Sequence, residues 1–294
     1  MGERLTTLTS LVHEPLEALA VIVGSLTRRR RGRRRRHHRI GLALSGGAAR
    51  GIAHIGVLSV LFEAGIVPDL VAGTSAGAAA GALFCRGWSP EQMLRLVRGL
   101  NLLQLGRPSL RRPGLLDGSR FEDLFRDVVG NLSFADLPIP LAVVACDLLS
   151  GEEVVIREGA LAPAVRASCS IPGIFTPVEL DGELLVDGDM VNHVPISVLT
   201  GMGADYTIAV DVNPRGIPSK PPDSLFEVLA ATYQIVIRKS CVDPDEQADC
   251  LICPETAEFE RFRFGSQADD LYQAGRQAAE VALPRLQQDL ERAR

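Results

Sequence analysis

Aromatic residues make up only 5% of this 294-residue chain, with a single Trp. Lysine is scarcer, with Lys220 and Lys239 alone among 31 basic residues. The six cysteines, at 85, 146, 169, 241, 250 and 253, are unevenly spaced and mostly embedded in apolar runs. That pattern excludes a small disulfide scaffold and reads as buried, reduced thiols. Cys250 and Cys253 form a C-x-x-C on what reads as a short strand, where i and i+3 face opposite ways, so no zinc site is expected. Long apolar runs are missing too. The longest stretch free of Asp, Glu, Lys and Arg, Leu70–Cys85, is shorter than the ~20 apolar residues of a membrane-spanning helix.

What is present is 46% apolar residues, enough for a substantial core, and a formal charge of −5 that conceals two unlike parts. Residues 1–40 hold ten Arg against three Glu, +7, while the other 254 residues carry −12. Leu5, Leu8, Val12, Leu16, Leu19, Val23 and Leu26 recur at steps of three and four, predicting helix broken at Pro15. Nine arginines follow within residues 28–39. Two readings stay open for this head: a surface anchor on anionic lipid, or a solvated tail with an extra helix packed on the body. Nucleic acid is not the expected partner, because no aromatic residue interleaves the arginines and the body is acidic. The apolar stretch precedes the positive cluster, the reverse of a secretory signal.

From residue 40 strand and helix alternate, as in an α/β domain. Ile40–Ser45 reads as a buried strand entering the turn Ser45-Gly46-Gly47-Ala48-Ala49-Arg50-Gly51, and the next helix carries Ile52, Ile55, Leu58 and Leu61 and stops at Gly65. Asp69–Gly73 reads as a second strand, followed by a small-residue helix ending near Gly87. Capped helix starts are expected at Ser89-Pro90-Glu91-Gln92 and at Ser119-Arg120-Phe121-Glu122, with a loop over 101–118 between them. Strands are expected at Leu141–Asp147, Glu153–Ile156, Leu184–Val186 and Tyr206–Val212, and helices near 195–202, 222–240 and 268–283. Two segments result: residues 1–39, amphipathic and Arg-rich, and a single domain over 40–294.

Gly73-Thr74-Ser75-Ala76-Gly77 fits G-x-S-x-G, the sharp strand-to-helix turn that lifts a serine hydroxyl out of a sheet. Its flanking glycines, Gly73 and Gly77, suit a strained backbone with close neighbours. A serine nucleophile also needs donors for a tetrahedral oxyanion, and backbone amides at Gly46, Gly47 and Ala48 can supply them at a helix start. Phosphate-cradling uses of that turn fail on spacing: it lacks the lysine of a P-loop and breaks the G-x-G-x-x-G fingerprint. Histidine is a poor prospect for the base. Of His13, His37, His38, His54 and His193, three lie in the head, His54 falls inside a helix, and His193 follows Asp187 by only six residues. Asp187-Gly188-Asp189 stands just past a strand end, where partial burial would raise a carboxylate pKa enough for proton abstraction.

The Gly-Gly-x-x-Arg-Gly turn, the G-x-S-x-G and the later Asp-Gly resemble, in that order, the patatin-like phospholipase family, in its short bacterial members related to the neuropathy-target-esterase group. The segments Leu42–Leu58 and Ala167–Pro177, the latter leading into Val186-Asp187-Gly188-Asp189 and Asn192, carry the likeness, which spans roughly 40–285. The resemblance implies a three-layer α/β/α sandwich with a mostly parallel sheet. It further implies a Ser-Asp dyad, Ser75 and Asp187, that cleaves acyl esters of lipids without metal or cofactor. Gly46, Gly47 and Ala48 are its implied oxyanion donors, with Arg50, Gly51, Gly73, Gly77 and Gly188 as motif support. Arg50 would orient the loop or an anionic head group. Asp189 departs from the family, where Gly or Ala is common, and would either raise the pKa of Asp187 or point to solvent. The expected substrate is a phospholipid or lysophospholipid. A soluble ester or thioester, or a non-catalytic lipid-binding role, are the rivals. The expected location is the cytoplasm, extending to the inner membrane surface if the head binds there.

Overall fold

The computed structural model describes residues 18, 20–25, 38–109, 113–213, 221, 225–240 and 247–292. Ten strands and nine helices can be numbered along them. The strands are β1 (Ile40–Leu44), β2 (Leu70–Thr74), β3 (Arg107–Pro108), β4 (Leu116–Asp117), β5 (Leu141–Asp147), β6 (Glu153–Ile156), β7 (Val178–Leu180), β8 (Glu183–Asp187), β9 (Tyr206–Val210) and β10 (Cys250–Ile252). The helices are α1 (Ile52–Glu63), α2 (Ala76–Arg86), α3 (Pro90–Arg98), α4 (Leu102–Leu105), α5 (Ser119–Val129), α6 (Leu161–Ser168), α7 (Ile196–Gly201), α8 (Leu225–Ser240) and α9 (Ala268–Arg292).

The main sheet runs β10-β9-β1-β2-β5-β8-β7, with β6 also on β5. Its first five strands are parallel, and β6, β7 and β8 add an antiparallel flank. β1, β2 and β9 are buried at every position, as expected of parallel strands covered on both faces. Alternate residues point to opposite layers. Leu42, Leu44, Val71 and Val143 meet the helices of one face, including α1, α2, α5 and α9, whereas Ala43, Ala72, Ala142 and Val144 meet α7 on the other. This is the three-layer α/β/α arrangement with a mostly parallel sheet.

Several expectations shift in detail. Ser119 does not cap α5: Gly118 is the cap residue, and the Ser119 amide donates to Asp117 Oδ1 at 2.9 Å. The expected capping box at Ser89 is present, with Gln92 reciprocating. The stretch 101–118 is not only loop; it holds α4 and the two-stranded β3–β4 ladder. α9 continues to Arg292, with Pro284 inside it. Cys250 is buried on β10, whereas Cys253 lies one residue past the end of that strand and is exposed.

Most of the head lies outside the described residues. Within it, Ala18 and Ile22 are fully buried in the main core while Val23 is 43% exposed. The face that packs is therefore offset by one residue from the stripe read in the sequence. No helix among the described residues is long and apolar enough to cross a membrane.

Candidate active site

β2 delivers Ser75 into a tight turn, and the backbone there has φ 52° and ψ −120°, a region that L-residues rarely adopt. The turn is tight because two strands and a helix start converge on it. A Cβ at Gly77 would fall 2.2 Å from the Leu44 carbonyl oxygen, and one at Gly73 2.6 Å from the Ala78 amide. Gly51 and Gly188 are confined likewise, by Ala76 and by the Val144 carbonyl. The Ser75 amide donates to Ser168 Oγ at 2.8 Å, and that hydroxyl donates to the Val144 carbonyl at 2.6 Å. The strained turn is thus pinned to β5 through α6.

Asp187 ends β8, fully buried, and its Oδ2 accepts the Ser75 hydroxyl at 2.7 Å. Its other oxygen accepts the Asp189 amide at 3.0 Å. Burial, and then the neighbouring charge of Asp189, push the Asp187 carboxyl well above its ordinary value. Asp189 does not point to solvent. It is 1% exposed and packs on the Gly-rich turn, where a Cβ at Gly46 would meet its carboxylate at 1.8 Å.

The Gly46 amide donates to the His193 carbonyl at 3.3 Å, whereas those of Gly47 and Ala48 make no hydrogen bond among the described residues. Ala48, with φ 50°, lines the same cavity as Ser75. The cavity measures about 150 Å³ and runs among α1, α2, α3 and α5, with Ile55, Ala80, Leu83, Met93, Phe121 and Phe125 on its wall. Arg50 donates from Nε to the Phe259 carbonyl at 3.0 Å, and burial with Arg261 nearby lowers its pKa to about 10. It ties the turn to the stretch bearing Phe262 and Phe264, which also line the cavity.

The two body histidines stand apart from the serine. His54 is buried with Nε2 2.8 Å from the Ser45 carbonyl, and desolvation lowers its pKa to about 4, leaving it neutral. His193 bonds Asp189 and Asp211 instead. Sequence reasoning missed that pair, although Asp189 and His193 stand four residues apart, and it missed Ser168. It also missed Tyr233 on α8, whose buried hydroxyl lies beside Asp187 without completing a hydrogen bond. Among the described residues no group of three or more His, Cys, Asp or Glu could hold a metal ion.

Residues 42–200, more than half of the chain, match the family model described as patatin-like phospholipase. An uncharacterized NTE family protein of Mycobacterium tuberculosis is 41% identical over 177 residues, covering 60% of this chain and 49% of that protein. A second from the same species is 32% identical over 295 residues, covering 92% of this chain and 49% of its own length. The neuropathy target esterase sws of Drosophila melanogaster is 38% identical over 187 residues, covering 59% of this chain and 13% of that one. The chain thus spans about half the length of the first bacterial relatives. Among solved structures, VipD from Legionella pneumophila shares the fold, with a TM-score of 0.54 at 14% identity over 84% of this chain and 67% of that one. The chain belongs to the patatin-like phospholipase family.

Proposed function

We propose that the chain cleaves fatty-acyl ester bonds of phospholipids or lysophospholipids through Ser75 and Asp187. The observation that carries this reading is the 2.7 Å hydrogen bond from Ser75 Oγ to a buried Asp187, at the wall of an apolar cavity. A serine hydroxyl is a weak nucleophile until a base takes its proton, and a carboxylate with a raised pKa is suited to do so. Ser75 Oγ attacks the acyl carbonyl as its proton passes to Asp187. The oxyanion accepts amide hydrogens from Gly47 and Ala48, whose donors are unengaged among the described residues, whereas the expected third donor, the Gly46 amide, is held by the His193 carbonyl. Asp187 returns the proton to the leaving alcohol, and the acyl group stays on Ser75. Water then attacks the acyl-enzyme with Asp187 again as base, regenerating both groups. The acyl chain lies in the cavity, whose apolar wall favours a lipid tail at about 0.8 kcal/mol per buried methylene. Residues 1–39 bring the catalytic body to anionic lipid, which its own negative charge would otherwise repel.

The test is hydrolysis of p-nitrophenyl acyl esters and of phospholipid and lysophospholipid vesicles by the purified full chain, beside Asp187→Asn. Turnover that depends on Asp187 supports the reading, and unchanged turnover in Asp187→Asn sinks it. Preference for a thioester or short soluble ester over vesicles would move the substrate to the soluble class.

A further inference from the structure

The reaction as proposed uses Ser75, Asp187 and backbone amides, and leaves unused a buried cluster of ionisable groups beside them. His193 is 4% exposed, and both of its ring nitrogens are engaged: Nδ1 lies 2.9 Å from Asp189 Oδ1 and Nε2 3.1 Å from Asp211 Oδ1. Asp189 belongs to the turn that follows the base, and its amide holds Asp187 Oδ1. Asp211 follows β9. The same histidine reaches the Gly-rich turn through its backbone, where its carbonyl accepts the Gly46 amide.

A second strap runs alongside. Asn213 Nδ2 lies 2.8 Å from the Gly46 carbonyl and 2.9 Å from His193 Nε2, while its backbone N–H donates to Asp211 Oδ1 at 2.9 Å. Asn213 Oδ1 is taken by Arg261, whose carbonyl accepts the Ala49 amide. Burial opposes charge on the ring, but the two carboxylates outweigh it and raise the His193 pKa to about 10. A doubly protonated imidazole donates to both aspartates and offers Asn213 no lone pair. The Asn213 amide is then directed onto Gly46.

We propose that His193 is a positioning residue for acyl transfer: gripped between Asp189 and Asp211, it holds the turn carrying Asp187 in register with the turn carrying Gly47 and Ala48. This rests on the Ser75–Asp187 reading. Its logic is that base and oxyanion donors act on one transition state, so a loss of registry between their turns lowers kcat more than it weakens substrate binding.

The experiment measures kcat, KM, melting temperature and near-UV circular dichroism for His193→Gln, Asp211→Asn and the double variant Asp211→Asn/His193→Gln, with a p-nitrophenyl ester and the full chain. Folded His193→Gln is expected to lose kcat by about tenfold or more, approaching the ~100-fold loss of one oxyanion donor, with KM within about twofold. Asp211→Asn is expected to lose kcat in the same manner, and the double variant no more than His193→Gln alone, because the two residues act through one link. A folded His193→Gln that keeps wild-type kcat, or losses that simply multiply in the double variant, would overturn the proposal even if the melting temperature falls. Should His193→Gln fail to fold, Asp211→Asn decides, since it leaves the imidazole and its Asp189 bond in place; wild-type kcat there overturns the proposal. A wild-type chain inert both to the ester and to a fluorophosphonate probe would instead bring down the Ser75–Asp187 reading, and this inference with it.

Discussion

Asp189 fills the space that a side chain at Gly46 would need, so the turn after the base and the turn after β1 are packed without a gap. A Cβ at Gly46 would lie 1.8 Å from one carboxylate oxygen and 2.1 Å from the other. Gly46→Ala is therefore expected to destabilise the fold by about 1–3 kcal/mol through overpacking, and to depress kcat by displacing Asp189. Urea denaturation and ester turnover check the two effects. A variant with wild-type midpoint and wild-type kcat would show that the contact yields without cost.

The raised pKa of Asp187 has consequences of known sign. In the folded state it holds a proton at pH values where the unfolded carboxylate, with its ordinary pKa near 4, has lost it. Folding is thus favoured by acid at this site, and stability falls as pH rises from the ordinary carboxylate value through the raised one. Asp187→Asn keeps the size and an acceptor while removing the ionisable group. It is expected to be inactive yet more stable than wild type above neutral pH, with the difference shrinking towards pH 4. Melting curves across that range test it. The wild-type kcat/KM is expected to fall on the acidic side of a pKa above the ordinary carboxylate range.

Ala80 lines the cavity on α2, one turn beyond Ala76, and is 7% exposed. Ala80→Leu fills part of the space next to the reacting serine. Each methylene that no longer fits costs about 0.8 kcal/mol, roughly fourfold in kcat/KM. The expected result is a shift of the ester chain-length profile toward acetate and butyrate, with acetate turnover retained. An unchanged profile would place the acyl chain elsewhere.

Because Ala18 and Ile22 belong to the core, the head is better tested by substitution than by truncation. Replacing the eight arginines of Arg28–Arg31 and Arg33–Arg36 with glutamine in the full chain is expected to abolish co-sedimentation with anionic vesicles. Wild-type binding is expected to weaken steeply with salt, as surface attraction worth on the order of 1 kcal/mol per arginine is screened. Equal binding by both proteins would remove the anchor role.

What the sequence made legible follows from range. β1, β2, the serine turn and the small-residue helix after it are set by local pattern, and Leu141–Asp147 and Glu153–Ile156 are legible to the residue because they are neighbours in sequence that pair directly as antiparallel strands. Asp187 is legible because a short strand points at it. Links between distant segments left no local mark. His193 meets Asp211 only because β9 runs beside β1 and returns the chain to the Gly-rich turn. Ser168 reaches Ser75 across 93 residues. Where two local signals compete, the nearer acceptor decides: Ser119 with Glu122 reads as a cap, yet Asp117 takes the Ser119 amide. The head misled by one residue because a helix with apolar residues on more than one side does not declare which side a body will cover.

The most direct test of the account is covalent. After brief reaction of the full chain with a slowly deacylating p-nitrophenyl ester, acid quench and peptide mass mapping should locate one acyl group on Ser75. The adduct should be absent or strongly slowed in Asp187→Asn. An acyl group on another residue, or ester turnover undiminished in Ser75→Ala, would contradict it.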